Sequence, residues 1–383
     1  MKKLTDICNI TTGKLDSNAC EVNGKYPFFT CAPLPLKINS FAFDDDVILL
    51  AGNNASGNFH CQRFCGKFNA YQRTYIITEK DGYDLDYIFY NLKMQLKILE
   101  SKSSGSQTKF LTMKILENIM IKDLSLESQK KKVIALKEID QQIQRNKDMV
   151  HKLQVLAQAT YSRWFNQFEF PNNNEKLVFN EQLDKVIPES WSVLSLSDCV
   201  SLNMRGISQV EDPYKQIVPV INQKCIRDGN ILMSEVYWHH NDNCLSTYQL
   251  SFMDVLINSM GTGTLGRISP FIIDKTCVPH SCVTVLRVND STMISKAYLY
   301  LTIKQMEQKI TSMGTGSTGQ TSLNNSELGK IKLVVPSIDI QSNFELCVLP
   351  LFEQLQRINM ENINLFSLKK TILPLLINGQ LNI

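Results

Sequence analysis

The chain repeats itself with a period slightly above half its length, which points to two similar domains rather than one large one. Phe43-Asp44-Asp45-Asp46-Val47-Ile48-Leu49-Leu50 resembles Ser251-Phe252-Met253-Asp254-Val255-Leu256-Ile257-Asn258. Each stretch is followed by two glycines five apart, Gly52 with Gly57 and Gly261 with Gly266, at an offset of 209. Further on, Ser103-Ser104-Gly105-Ser106 matches Gly314-Thr315-Gly316-Ser317 at an offset of 211. Leu116-Glu117-Asn118-Ile119 then matches Leu328-Gly329-Lys330-Ile331 at 212. Two unrelated domains would not keep so nearly constant an offset.

After each copy comes a long segment with helical periodicity. In the first, Leu136, Ile139, Ile143, Val150, Leu153, Ala157 and Trp164 fall on alternating three- and four-residue steps, interrupted by Asn146 and Thr160. In the second, Val348, Leu351, Leu355, Ile358, Leu365, Ile372 and Leu376 do the same, interrupted by Asn362 and Lys369. A 3-4 spacing sustained over several heptads predicts a coiled-coil seam. Each stripe alone would face water, so the two are expected to bury each other as an antiparallel pair, giving the chain a pseudo-two-fold axis. A helix of about 40 residues spans roughly 60 Å, close to two turns of B-DNA at about 34 Å each. Asn146 and Asn362 are either buried polar seam positions that fix register or residues at a fraying edge. Pro350 is expected near the start of the second helix and Pro374 near its end.

The expected architecture is therefore mixed α/β (α+β). Domains at residues 1–125 and 171–336 alternate with helical spacers at 126–170 and 337–383. With 383 residues, 43% apolar and 20% charged, the chain reads as globular. A net charge of +3 neither requires nor forbids a nucleic-acid partner. No apolar run is long enough to span a membrane, and the opening Met1-Lys2-Lys3-Leu4-Thr5-Asp6 has no signal-peptide core. The eleven cysteines form no disulfide-like framework and read as reduced thiols, so a cytoplasmic location is expected.

Several stretches resemble one family, the specificity subunits of Type I restriction–modification enzymes. Ala157-Gln158-Ala159-Thr160-Tyr161-Ser162-Arg163-Trp164-Phe165-Asn166-Gln167-Phe168-Glu169-Phe170-Pro171 is similar to the family's pattern at the end of its central helix. Ile187-Pro188-Glu189-Ser190-Trp191, with Leu196-Ser197-Asp198 after it, resembles the lead-in to a target-recognition domain. Leu4-Thr5-Asp6-Ile7 resembles the same lead-in, without the preceding Ile-Pro-Glu-x-Trp, and Ile377-Asn378-Gly379-Gln380-Leu381 looks like the usual close. The resemblance implies a non-catalytic protein in which each globular copy reads one half of a split target in double-stranded DNA. The helices would then set the spacing and dock two methyltransferase subunits, which motor–nuclease subunits join. It implies no cofactor in this chain, S-adenosylmethionine being expected in the partner methyltransferase.

The residues fit a reader better than a catalyst. There is no Pro-Pro pair for a methyltransferase's Asn/Asp-Pro-Pro-Tyr/Phe motif and no phosphate-binding Gly-x-x-x-x-Gly-Lys-Ser/Thr loop. Asp44-Asp45-Asp46 reads as the end of a loop before the buried strand Val47–Leu50 rather than as a metal site. Gly261-Thr262-Gly263-Thr264-Leu265-Gly266 fits the dinucleotide fingerprint letter for letter. That motif works only as a strand-to-helix turn, however, and the sequel Arg267-Ile268-Ser269-Pro270-Phe271 is β-like, so a tight hairpin is expected. His60-Cys61 with Cys65, and Cys277 with His280 and Cys282, lack the paired spacing of a zinc site.

Base reading needs Arg, Lys, Asn or Gln at groove edges, with hydroxyls and amides on phosphates. Candidates in the first copy are Asn53, Asn54, Ser56, Asn58, Arg63 and Lys67, then Tyr71, Gln72 and Arg73, then Gln107 and Lys109. In the second they are Thr262, Thr264 and Arg267, then His280 and Ser281, then Gln320, with His239 and His240 beside Trp238 as additions. Different residues at matched positions imply an asymmetric target. The rival reading is a coiled-coil adaptor joining two proteins; a third is an orphan or phase-variable specificity cassette without its own active complex.

Overall fold

The computed structural model describes residues 1–54, 59–103, 109–171, 173–208, 216–240, 242–289, 293–316 and 321–381. It divides into two compact units, one formed by Met1–Ile143 with Leu365–Ile383 and the other by Gln144–Asn364.

The first unit is built on a six-stranded sheet of β1 (Cys8–Thr12), β2 (Tyr26–Phe29), β3 (Leu36–Ile38), β4 (Phe43–Ala51), β5 (Cys61–Ala70) and β6 (Thr74–Glu79). Their order is β1-β6-β4-β5-β2-β3. The apolar run in β4 is continuous because both of its faces are covered. Ile48 and Leu50 join a core with Ile77 and the helix α1 (Leu85–Lys102), while Val47 and Leu49 pack with Phe29, Phe68 and Ile76. Asp44, Asp45 and Asp46 do not end a loop; they are exposed residues inside β4, hydrogen-bonded opposite Lys67, Gly66 and Cys65. The regular β pattern extends four residues ahead of the apolar run because pairing with β5 starts at Phe43.

The second unit contains β7 (Leu202–Arg205), β8 (Val218–Ile221), β9 (Tyr237–His239), β10 (Val255–Asn258), β11 (Ile268–Pro270), β12 (Val278–Pro279) and β13 (Val283–Arg287). The order β7-β13-β10-β11 is antiparallel throughout and reproduces β1-β6-β4-β5 of the first unit. The parallel pairing of β2 with the end of β5 recurs as β8 with β12.

The ladders correct the sequence register. Ile48 lies opposite Ile77 as Val255 lies opposite Leu286, so Ile48 corresponds to Val255, one residue off the match read from Asp46 and Asp254. At the strand end the slip is two residues. The Gly52 amide donates to the Arg73 carbonyl as Ser259 does to Cys282, so Gly52 corresponds to Ser259 and not to Gly261. The cause is physical: a strand buried on both faces has no apolar–polar alternation to fix its register.

Helix α2 (Leu126–Tyr161), continued by a π-helical turn at Ser162–Asn166, and helix α4 (Ile338–Asn378) carry the two stripes. Leu136, Ile139, Ile143, Val150, Leu153, Leu355 and Ile358 are buried, and Leu351 and Leu365 partly so. In the first unit the helices run antiparallel: Lys132 Nζ donates to the Leu376 carbonyl at 3.0 Å, and Lys369 pairs with Asp140. The second unit shows the same sense, with Asn146 Nδ2 donating to Asn362 Oδ1 at 3.0 Å and Trp164 packed on Phe344. The two asparagines are therefore a facing polar pair and not frayed ends. Pro350 does not mark the start of its helix, which begins at Ile338. The proline faces solvent, where water can satisfy the carbonyl it leaves free. At the far end Gly379, with φ 77°, stops the helix in a left-handed turn in which Gln380 donates to the Leu375 carbonyl.

Candidate nucleic-acid interface

In the first unit the ends of four segments converge. Gly52 donates to Arg73, Leu111 donates back to Gly52, and Tyr71 donates to Phe29. Asn53 and Asn54 pair with Phe110 and Lys109. The Arg73 guanidinium lies 4.9 Å over the Phe110 ring, and the Cys31 thiol donates to the Arg73 carbonyl at 3.4 Å. Asn53, Asn54, Tyr71, Gln72, Arg73 and Lys109 are thus brought together, with Gln72 and Arg73 exposed. His60 adjoins the same surface, and burial lowers its pKa.

The second unit assembles the same arrangement. Ser259 donates to Cys282, Leu323 donates to Ser259, and His280 donates to Ile221. Met260 bridges to Ser322 where Asn53 pairs with Phe110. The Gln72 amide donates to the Leu15 carbonyl as the Ser281 amide does to that of Ile207. Two glycines allow this approach: a Cβ on Gly13 would lie 2.0 Å from the Ala70 carbonyl oxygen, and one on Gly206 1.9 Å from that of Pro279. Sequence comparison missed this pair because its offset differs from the one followed by the rest of the repeat.

Gly261–Gly266 connects strand β10 to strand β11, as a hairpin does, and its three glycines all have positive φ. Thr262 is exposed on that loop, whereas the Thr264 hydroxyl turns inward to the Gly261 carbonyl and Arg267 Nη2 donates to the Gly263 carbonyl at 3.0 Å. His280 Nδ1 accepts from the Cys282 amide at 3.3 Å, lies 3.0 Å from the Cys282 thiol, and its ring stands edge-on to Tyr237; burial lowers its pKa. Gln223, which sequence reasoning passed over, receives the Cys282 thiol at 2.8 Å on Oε1. His239 and His240 stack on each other at 4.9 Å at the end of β9.

Two candidates lie away from the first cluster. Arg63 is engaged by Asp46, the Val47 carbonyl and Asp86, so it braces the sheet against α1. Arg267 is not its counterpart; the shared donor pattern (Ala51 to His60, Asn258 to Arg267) makes His60 the matched residue. Lys67 sits opposite Asp44 with its ammonium 4.7 Å over the Phe41 ring. Ser56, Asn58, Gln107 and Gln320 lie outside the described residues. Among the described residues, no three His, Cys, Asp or Glu side chains gather as metal ligands would. Burial pushes the thiols of Cys8, Cys61, Cys225 and Cys277 up to about 12, which suits inert core residues.

The fold and the paired clusters define a duplicated α/β binding scaffold carried on two long helices. The family model described as the Type I restriction modification DNA specificity domain matches residues 1–154 and 188–344, and the chain belongs to that family. It is 29% identical over 231 residues to the Type I restriction enzyme EcoDI specificity subunit of Escherichia coli, covering 55% of this chain and 51% of that one. It is 25% identical over 317 residues to the MjaIX specificity subunit of Methanocaldococcus jannaschii, covering 80% and 71%. The chain thus spans about half the length of the first of these relatives. Among solved structures, the Type I restriction–modification S subunit from M. genitalium shares the fold, with a TM-score of 0.58 at 15% identity over 98% of this chain and 95% of that one. No helix among the described residues is long and apolar enough to cross a membrane.

Proposed function

We propose that this chain is the non-catalytic reader of a Type I restriction–modification complex and that each α/β copy recognises one half of a split, asymmetric target in double-stranded DNA. In this reading residues 1–125 and 171–336 are the recognition domains. The helical spacers, 126–170 and 337–383, set the distance between half-sites and dock two methyltransferase subunits, which motor–nuclease subunits join in the cytoplasm. The methyltransferase would supply S-adenosylmethionine and the chemistry.

One observation carries the proposal. The two clusters share their backbone hydrogen bonds position by position but not their side chains: Tyr71, Gln72 and Arg73 stand where His280, Ser281 and Cys282 stand. A common frame with exchanged side chains is what reading two different half-sites requires, since base edges are distinguished by donor and acceptor pattern. Asn53, Asn54, Lys109, Thr262 and Arg267 are the remaining candidates at the groove, with Thr264 shaping its loop.

The test is to co-express the chain with its cognate methyltransferase in an unmethylated host and sequence the modified adenines. A split motif with two different halves and a fixed gap, absent when this chain is omitted, is the expected result. An active methyltransferase whose motif does not depend on this chain would favour the protein–protein adaptor. Modification without any motif would favour a silent cassette.

A further inference from the structure

The corrected register sets side by side two pairs that the sequence does not align. Cys31 corresponds to Gln223, and Arg73 to Cys282, because Tyr71 donates to Phe29 as His280 donates to Ile221. In the first unit the thiol is on the loop after β2 and holds the carbonyl of Arg73. In the second the thiol is on the segment before β13 and holds the side chain of Gln223. Each copy thus spends one cysteine on stitching the two strand ends together. Each also leaves one longer polar side chain at the stitched position, on opposite segments in the two copies.

We infer that Arg73 and Gln223 are the principal specificity-determining side chains of the two copies, Arg73 selecting a G·C pair and Gln223 an A·T pair. The inference rests on the DNA-reading function proposed above. Arg73 is exposed, and its guanidinium carbon lies 4.9 Å from the centre of the Phe110 ring while its backbone is pinned by Cys31 and Gly52. A planar guanidinium fork anchored beside a ring suits the O6 and N7 acceptors of guanine. Gln223 is half-buried, and its side-chain amide is held against the Cys282 thiol, with Oε1 2.8 Å from Sγ. That oxygen keeps a second lone pair, and Nε2 carries two donors. An oriented amide with one acceptor and one donor matches the N6–H and N7 of adenine. The backbone around Gln223 is equally constrained: its carbonyl accepts from Asn258 Nδ2 at 3.0 Å, and the Asn222 side chain is tied to the Glu235 carbonyl.

The experiment compares the modified motifs of complexes carrying the parent chain, Arg73→Ala or Gln223→Ala. Arg73→Ala should relax one G·C position in one half-site, and Gln223→Ala one A·T position in the other. Each should lose about ten- to a hundredfold discrimination there, with the untouched half unchanged. If Arg73→Ala abolishes modification, Arg73→Lys decides, because it restores the charge but not the fork. Modification at a relaxed motif supports the assignment, and modification at the parent motif overturns it. If Gln223→Ala abolishes modification, Gln223→Met decides in the same way, keeping the length without the amide. Parent motifs retained in both alanine variants defeat the assignment, whereas a parent chain that directs no motif defeats the DNA-reading function itself.

Discussion

Asp86 shows how much of the first unit's order rests on single polar contacts. Its Oδ1 accepts from Arg63 Nε at 3.0 Å and its Oδ2 from Lys137 on the long helix at 2.5 Å. Burial alone would raise its pKa, but the two cations outweigh that and hold it below the usual carboxylate range. A carboxylate depressed on folding contributes stability that is present above its unfolded pKa of about 3.9 and is lost as the pH falls through the folded value. Asp86→Asn should therefore cost about 1–3 kcal/mol near neutrality. That deficit should close as parent and variant are compared at pH below about 4. Denaturant unfolding of both proteins from pH 7 to 3 checks this, and a gap that stays constant across the range would sink the linkage. Arg63 itself illustrates a limit of sequence reading. An arginine in a strand looks the same in one dimension whether it faces a groove or a neighbouring aspartate. Only the fold brings Asp46 and Asp86 to it. Gln223 was missed for the converse reason, since nothing in the sequence around it marks the cysteine 59 residues away that orients it.

At the scale of elements, the duplication and the helical stripes were legible because each is a periodic signal carried by many residues. Registers were not, because a register depends on which hydrogen bonds close. The apolar run Val47–Leu50 pairs as well with its counterpart one residue out of step until the ladder to Ile77 is known. The helices were easier, because their apolar stripes recur over several heptads, although the sequence left open whether Asn146 and Asn362 meet in the seam or lie at a fraying edge; the structure pairs them. Asn146 is 6% exposed, and its partner amide would lose a buried hydrogen bond if it were removed. Asn146→Leu should thus destabilise the second unit by about 1–3 kcal/mol. Adding Asn362→Leu should recover most of that loss by replacing a polar seam contact with an apolar one. A double-mutant cycle by chemical denaturation measures the coupling, and strictly additive effects would show that the two amides do not act as a pair.

The whole chain is not laid out as its sequence order suggests. Reading along the sequence gives domain, helix, domain, helix, whereas the compact units divide each helix between them, and the first unit is closed by residues 365–383 from the far end of the chain. Leu376 and Ile377 lie in one core with Val133, Leu136 and the strands of the first sheet, while the second unit's core takes Val348, Phe352 and Leu355. The sequence stripe shows that the helices pair; it does not show that the last helical turns serve the first domain. This division makes a directional prediction. Deleting residues 365–383 removes two nearly fully buried side chains from the first unit, worth about 3–6 kcal/mol together, a large share of the roughly 5–15 kcal/mol that holds a domain folded. Hydrogen exchange should then show lost protection in β1, β6 and α1, while β10, β13 and α3 (Lys296–Gln305) keep theirs. In the reader proposed here, the same deletion should abolish recognition of the half-site belonging to the first copy, although every candidate contact residue of that copy is still present. Protection unchanged in the first unit would mean that its core is complete without the chain's end, and that the distal helix serves only as a spacer.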